Sequence, residues 1–166
     1  MENLQIVPGY DSLEEVSALF QEYIDMLVTG EPEFREYLSI QNYDQELEHL
    51  SQKYGMPAGR FYLAYWDGKP AGCIALRKLD ESRCELKRLY VRPAFRGKQI
   101  GKRQVERILR DAKEIGYAEI LLDTLPFLQR AIGMYRNLGF FEIPSYNDSP
   151  LDCTIYMKLK LDEVKV

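Results

Sequence analysis

Between residues 85 and 102 the chain reads Glu-Leu-Lys-Arg-Leu-Tyr-Val, then Arg-Pro-Ala-Phe-Arg-Gly-Lys-Gln-Ile-Gly-Lys. The first part has the branched and aromatic make-up of a strand, and the second is a basic, glycine-containing turn that opens into a helical pattern near Gln99. A strand that feeds such a turn into a helix leaves several backbone N–H groups without partners at the positive end of the helix dipole. An anion, most often a phosphate group, suits that place. The rest of the chain has to be arranged so that this junction stays open to a ligand.

The flanking patterns supply the other elements. Residues 4–7 suit a short strand ended by Pro8-Gly9, and Ser12 with Glu15 has the spacing of a capping box. Leu13, Val16, Phe20, Tyr23, Ile24 and Leu27 then form the apolar stripe of a helix that Gly30-Glu31-Pro32 breaks. Residues 33–54 read as one or two short helices. Residues 61–66 and 70–77 form a hairpin about Asp67-Gly68, and residues 83–91 the next strand. The helix after the turn runs to Ile115, with Ile100, Val105, Ile108, Leu109, Ala112 and Ile115 facing the core and Gly116 ending it. A strand over 119–124, a helix over 128–138 ended by Gly139, and strands over 140–143 and 153–161 complete the chain. This order predicts an α+β fold in α/β/α layers, with a mixed, mostly antiparallel sheet of about six or seven strands flanked by helices. No linker or repeat divides it, so residues 1–166 are expected to be a single domain.

Charge narrows the ligand. The net charge is −4, against the strongly basic balance of a general nucleic-acid binder. Yet Lys87, Arg88, Arg92, Arg96, Lys98, Lys102 and Arg103 crowd into one window, which suits a small anion rather than a polymer. Cys73, Cys84 and Cys153 are widely spaced and read as small core residues, and with His49 as the one histidine no zinc site or other metal is expected. His49 itself reads as a surface residue of a helix. An acidic N-terminus without an apolar segment, and no run of membrane-spanning length, point to a cytoplasmic protein with no membrane partner.

Two separate motifs give a family resemblance. Arg96-Gly97-Lys98-Gln99-Ile100-Gly101, led by Arg92-Pro93-Ala94-Phe95, is similar to the pyrophosphate-binding motif of the GNAT superfamily of N-acetyltransferases, an Arg or Gln followed by x-x-Gly-x-Gly or Ala. Ala131-Ile132-Gly133-Met134-Tyr135-Arg136-Asn137-Leu138-Gly139-Phe140 resembles its helix–strand motif, which carries a tyrosine and ends in Gly-Phe. The element order agrees, so the resemblance covers nearly the whole chain. It implies the acyl-CoA N-acyltransferase fold, with a sheet splayed in the middle. It further implies acetyl-CoA, or another acyl-CoA, as co-substrate and direct transfer of the acyl group in a ternary complex to a primary amine of a small molecule or peptide.

The resemblance also implies roles for particular residues. Gly97, Lys98, Gln99, Ile100, Gly101 and Lys102 would present N–H groups to the pyrophosphate, with Arg96, Lys98 and Lys102 adding charge. Leu89, Tyr90 and Val91 would offer backbone groups to the pantetheine arm, one N–H polarising the thioester carbonyl. Tyr135 would be the general acid for the departing thiolate. Glu85 matches the base of histone acetyltransferases in the superfamily, and Asp123 the acidic position of ribosomal-protein alanine acetyltransferases; Glu85 is placed ahead. Two positions depart from the pattern: Gln99 stands for the usual middle glycine, and Leu128 for an asparagine seven residues before the tyrosine.

On alternating strand faces Lys87 and Arg88 are expected to point to opposite sides. The acceptor is expected between the N-terminal helices and the late loop around Tyr146. There Glu31, Glu33, Phe34, Glu36, Tyr37, Tyr43, Asp44, Glu46 and Glu48 would attract a cationic amine or form a solvated face. A non-catalytic acyl-CoA sensor on the same fold is the alternative, and turnover against an amine panel separates the two. A P-loop is disfavoured because the turn lacks a Gly-Lys-Ser/Thr ending. Both monomers and homodimers occur in the superfamily.

Overall fold

The computed structural model describes residues 3–34, 43–147, 149 and 151–164. The strands are β1 (Leu4–Pro8), β2 (Arg60–Trp66), β3 (Lys69–Lys78), β4 (Arg83–Val91), β5 (Glu119–Thr124), β6 (Phe141–Ile143) and β7 (Ile155–Lys160). The helices are α1 (Leu13–Gly30), α2 (Tyr43–Glu48), α3 (Leu50–Tyr54), α4 (Ile100–Ile115) and α5 (Gln129–Leu138). The seven strands form one sheet in the order β1-β2-β3-β4-β5-β7-β6. Every pairing is antiparallel except β4 with β5, which run parallel.

Local chemistry accounts for the joints. Asp67 and Gly68 both take positive φ (49° and 79°), the two-residue turn whose twist matches the strands on either side. Gly116 (φ 110°) closes α4, donating its N–H to the Ala112 and Lys113 carbonyls. The capping box at Ser12 does not form: its side chain makes no capping bond, and its carbonyl accepts the Val16 N–H at 3.0 Å. Leu13, expected in the apolar stripe, is 52% exposed, and Leu19 takes its place beside Val16, Phe20 and Leu27.

Two cores cover the two faces of the sheet. On one face Val105, Ile108, Leu109 and Ala112 of α4 pack on Ile74, Leu76, Leu86, Ile120, Leu122 and Met157, which reach across β3, β4, β5 and β7. On the other, Val16, Leu19 and Phe20 of α1, with Leu50 and Tyr54 of α3, pack on Phe61, Leu63, Cys73, Ala75 and Tyr90. That second core stops at β4.

The β4–β5 pairing holds at three positions, Arg83↔Glu119, Cys84↔Ile120 and Glu85↔Leu121. β4 then runs on to Val91 and β5 to Thr124 with no rungs between them. Within this divergence the β3–β4 register slips between Cys73 and Ala75, and Arg88 takes φ +60°. This is a bulge: an extra residue in β4 that bends the strand. It overturns the expectation for Lys87 and Arg88. Lys87 lies opposite Ala75, on the α1 face, and Arg88 reaches Glu46 of α2 on that same side. Strict alternation fails because the left-handed residue resets it.

Among the described residues no helix is long and apolar enough to cross a membrane. Cys73 and Cys84 are buried, whereas Cys153 is exposed, its thiol facing a Glu31 carboxylate oxygen at 3.7 Å. His49 is exposed, between α2 and α3.

Candidate active site

The divergence of β4 and β5 opens a cleft of about 550 Å³. One wall is residues 86–91 of β4 with Tyr23, Met26 and Leu27 of α1, and the other is Asp123 and Thr124 of β5 with Ala131, Met134 and Tyr135 of α5. Phe95, Arg96, Gly97, Gln99, Ile100 and Gly101 close one end, and Ser149, Leu151 and Thr154 contribute from the late loop.

The turn into α4 has the geometry of an anion site. Gly97 (φ +83°) and Gln99 (φ +61°) are both left-handed, and the first backbone bond of α4 runs from the Arg103 N–H to the Gln99 carbonyl at 3.1 Å. The N–H groups of Ile100, Gly101 and Lys102 therefore precede any intrahelical bond. Gln99 explains the glycine of the family pattern: the position requires a conformation that costs an ordinary residue about 1–2 kcal/mol. Arg96 also lines the cleft, its guanidinium close to the Val91 carbonyl (3.3 Å). Lys98 and Lys102 are absent from the lining, and Lys98 sits over the Trp66 ring, 5.0 Å from its centroid. Arg92 and Arg88 are absorbed elsewhere, Arg92 by Glu22 (2.8 Å) and Arg88 by Glu46 (2.7 Å).

Leu89, Tyr90 and Val91 line the cleft along the edge of β4 that β5 leaves unpaired. Tyr135, 5% exposed, faces it from α5. Burial, and then the charge of Asp123, push the Tyr135 phenol well above its ordinary range, so it stays protonated at neutral pH.

The two carboxylates sit differently. Asp123 lines the cleft and accepts the Asn147 amide N–H at 2.9 Å. Glu85 is buried and does not line it; it accepts the Tyr146 hydroxyl at 2.7 Å and lies 3.7 Å from both Arg77 and Lys87. Burial, followed by the Glu85 and Asp123 charges, raises the Tyr146 phenol far above its usual value. Leu128, in the place of the pattern's asparagine, lines the cleft and gives α5 no side-chain cap.

The acidic segment before β2 is less available than its composition implies. Glu46 is held in a buried triad: both its oxygens accept from Arg88, and Oε1 also faces Lys53 at 2.5 Å. Burial alone would raise the Glu46 pKa, but Arg88 and then Lys53 outweigh it and hold it at about 2. Phe34 lines the cleft, while Glu36 and Tyr37, and the side chains of Tyr43 and Asp44, lie outside the described residues.

Sequence reasoning missed Phe127, whose ring packs against the backbone of Gly30 where a Cβ would come within 2.3 Å of it. An exposed aromatic after Pro126 carries no periodic signal. It missed Gln104 too, whose fully buried amide has no hydrogen-bond partner among the described residues. No group of three or more His, Cys, Asp or Glu side chains among the described residues could hold a metal ion.

Comparison with known proteins gives a consistent result. The model of the acetyltransferase (GNAT) family matches residues 19–140. An uncharacterized N-acetyltransferase of Schizosaccharomyces pombe is 35% identical, over 91% of this chain and 90% of its own. One of Dictyostelium discoideum is 32% identical, over 95% and 99%. Among solved structures, the PaiA N-acetyltransferase of Thermoplasma acidophilum in complex with coenzyme A superposes with a TM-score of 0.74 at 22% identity, over 95% of this chain and 98% of that one. A GNAT family acetyltransferase of Elizabethkingia anophelis with acetyl-CoA bound gives 0.62 at 19%, over 96% and 99%. The solved structures share the fold, and the family match with the two sequence relatives establishes that the chain belongs to the GNAT acetyltransferase family and is an N-acetyltransferase.

Proposed function

We propose that residues 1–166 form a single N-acetyltransferase domain, acting in the cytoplasm, that moves the acetyl group of acetyl-CoA to a primary amine of a small molecule or peptide. The carrying observation is one continuous cleft joining the N–H-rich turn at α4, the unpaired edge of β4, and both Asp123 and Tyr135. The coenzyme A and acetyl-CoA of the two solved relatives support the choice of co-substrate, and the free cysteines suit a reducing compartment. Acetyl-CoA supplies an activated thioester.

The chain's residues do the rest. The N–H groups of the Gly97–Gly101 turn and the Arg96 guanidinium hold the pyrophosphate. Backbone groups of Leu89, Tyr90 and Val91 orient the pantetheine arm, and one of their N–H groups polarises the thioester carbonyl. The amine attacks that carbonyl carbon, the C–S bond breaks, and Tyr135 gives its phenolic proton to the thiolate sulfur. The proton lost by the amine goes to Asp123, the carboxylate that itself lines the cleft. Glu85, one step behind and tied to Tyr146, Lys87 and Arg77, supports that transfer.

The test is thiol release with acetyl-CoA against an amine panel, with the turnover of Asp123→Asn and Glu85→Gln measured beside wild type. Asp123→Asn should lose roughly 100-fold or more in rate, whereas Glu85→Gln should lose less. Absence of any stabilisation of the protein by coenzyme A would refute the reading.

A further inference from the structure

Lys87 is a largely buried cation whose ion-pair partner, Glu85, stands beyond hydrogen-bond distance. Its side chain is 9% exposed, yet its ammonium makes no hydrogen bond among the described residues. The nearest oxygen is Glu85 Oε1 at 3.7 Å, and that carboxylate already accepts the Tyr146 hydroxyl at 2.7 Å and faces Arg77 at 3.7 Å. An ammonium has three donors, and burying it without acceptors is costly. Burial and then the neighbouring Arg88 charge accordingly push its pKa down. The structural role of a plain ion pair with Glu85 would bring the two groups to hydrogen-bond distance. They stand apart instead, and Lys87 lines the cleft.

Asp123 lies close enough to Lys87 for its charge to act on it, and also lines the cleft, from the opposite strand. A cation and an anion on facing walls match a zwitterion, whose amine goes to Asp123 and whose carboxylate goes to Lys87. We propose that Lys87 binds a carboxylate of the acceptor, which makes the acceptor an amino acid or a similar small molecule carrying both an amine and a carboxylate. This rests on the proposed entry of the amine beside Asp123. The carboxylate fills the vacant N–H donors of Lys87 and compensates the excess charge that the Arg88 neighbour imposes there.

The experiment compares α-amino acids with their amides and their decarboxylated amines in acetyl-CoA-dependent thiol release, for wild type, Lys87→Met and Lys87→Arg. Wild type should favour the acids. In Lys87→Met the kcat/KM ratio of acid to amide should fall roughly 10- to 100-fold, the size of a lost charge-assisted hydrogen bond, mostly through KM. Lys87→Arg should restore part of it. Equal or better turnover of the decarboxylated amines, or an equal loss for acids and amides in Lys87→Met, would overturn the inference while leaving acetyl transfer to amines intact. Thermal melting of the coenzyme A-saturated protein decides the case in which no panel member turns over. Amino acids should then raise the Tm of wild type and not of Lys87→Met, and equal shifts or none would refute carboxylate binding. If coenzyme A gives no stabilisation, the acetyltransfer reading fails first, and the same comparison on the protein alone still tests Lys87.

Discussion

Arg88 donates from Nε and Nη2 to the two oxygens of Glu46, at 2.7 and 2.8 Å, and thereby ties the left-handed residue of the β4 bulge to α2. Both side chains are almost wholly buried, at 3% and 2% exposure. Removing one partner leaves the other as a desolvated charge, so Glu46→Gln should destabilise the fold by about 3–5 kcal/mol. Denaturant unfolding measures it, and a loss within error of zero would show that the pair holds nothing.

The same carboxylate sets a pH dependence. The Glu46 pKa falls from 4.5 to about 2 on folding, so its stabilisation is complete above 4.5 and drains away as pH drops toward 2. Lys53 runs the other way. Burial and then Arg88 lower it from 10.5 to about 8, so the unfolded chain binds more protons across that window and stability rises with pH through it. Subtracting the stability–pH curve of Lys53→Met from that of wild type should expose this rise between pH 8 and 10.5; a flat difference would contradict the burial of its ammonium.

The Tyr135 ring packs against Phe140, centroids 5.5 Å apart and planes tilted by 58°, so it has a packing role that phenylalanine can keep. Tyr135→Phe should therefore melt near wild type while turnover falls roughly 100-fold, the scale of general-acid catalysis. Undiminished turnover would remove Tyr135 from the mechanism.

Gln99 sits at φ +61° and Gly97, two residues earlier, at +83°. Gln99→Gly relieves the left-handed strain but gives the unfolded chain more freedom, so the net gain should be at most about 1 kcal/mol. A clear fall in Tm would mean that the Gln99 side chain contributes contacts worth more than the strain.

Gly30 and Phe127 meet across the cleft mouth. A Cβ on residue 30 would come within 2.3–2.5 Å of the ring, and because Phe127 is 39% exposed and can swing aside, Gly30→Ala should cost no more than about 1 kcal/mol. Phe127→Leu in the same chain should recover most of that loss in a thermal melt; additive losses would place the strain elsewhere.

Much of this architecture is legible in residue order. Residues 83–91 and 119–124 coincide with β4 and β5, and Gly116 and Gly139 end their helices at φ 110° and 108°. These features are local: periodicity, turn dihedrals and caps depend on neighbours in the chain. The bulge does not. Arg88 occupies a positive-φ slot without being glycine, because a partner 42 residues away holds it there. For the same reason Glu46 reads as part of an acidic surface until Arg88 and Lys53 are seen against it. Glu85 and Asp123 look equivalent as strand-end carboxylates. They are told apart by whether they line the cleft, and the late loop, whose Tyr146 and Asn147 donate to Glu85 and Asp123, joins the site through tertiary contacts alone.

The divergence of β4 and β5 also makes the sheet two panels joined by three rungs. On the α4 face one core spans both panels, whereas on the α1 face the core ends at β4. The protein is thus braced through a continuous core on one side and, on the other, only by the smaller cluster of Leu27, Phe34, Leu125 and Leu151, so whatever lies in the gap adds to the weaker brace. Occupancy of the cleft should then change how sharply the molecule unfolds as well as where, with amide protons of β5 and β7 slowing toward the rates of β3 once the seam is filled.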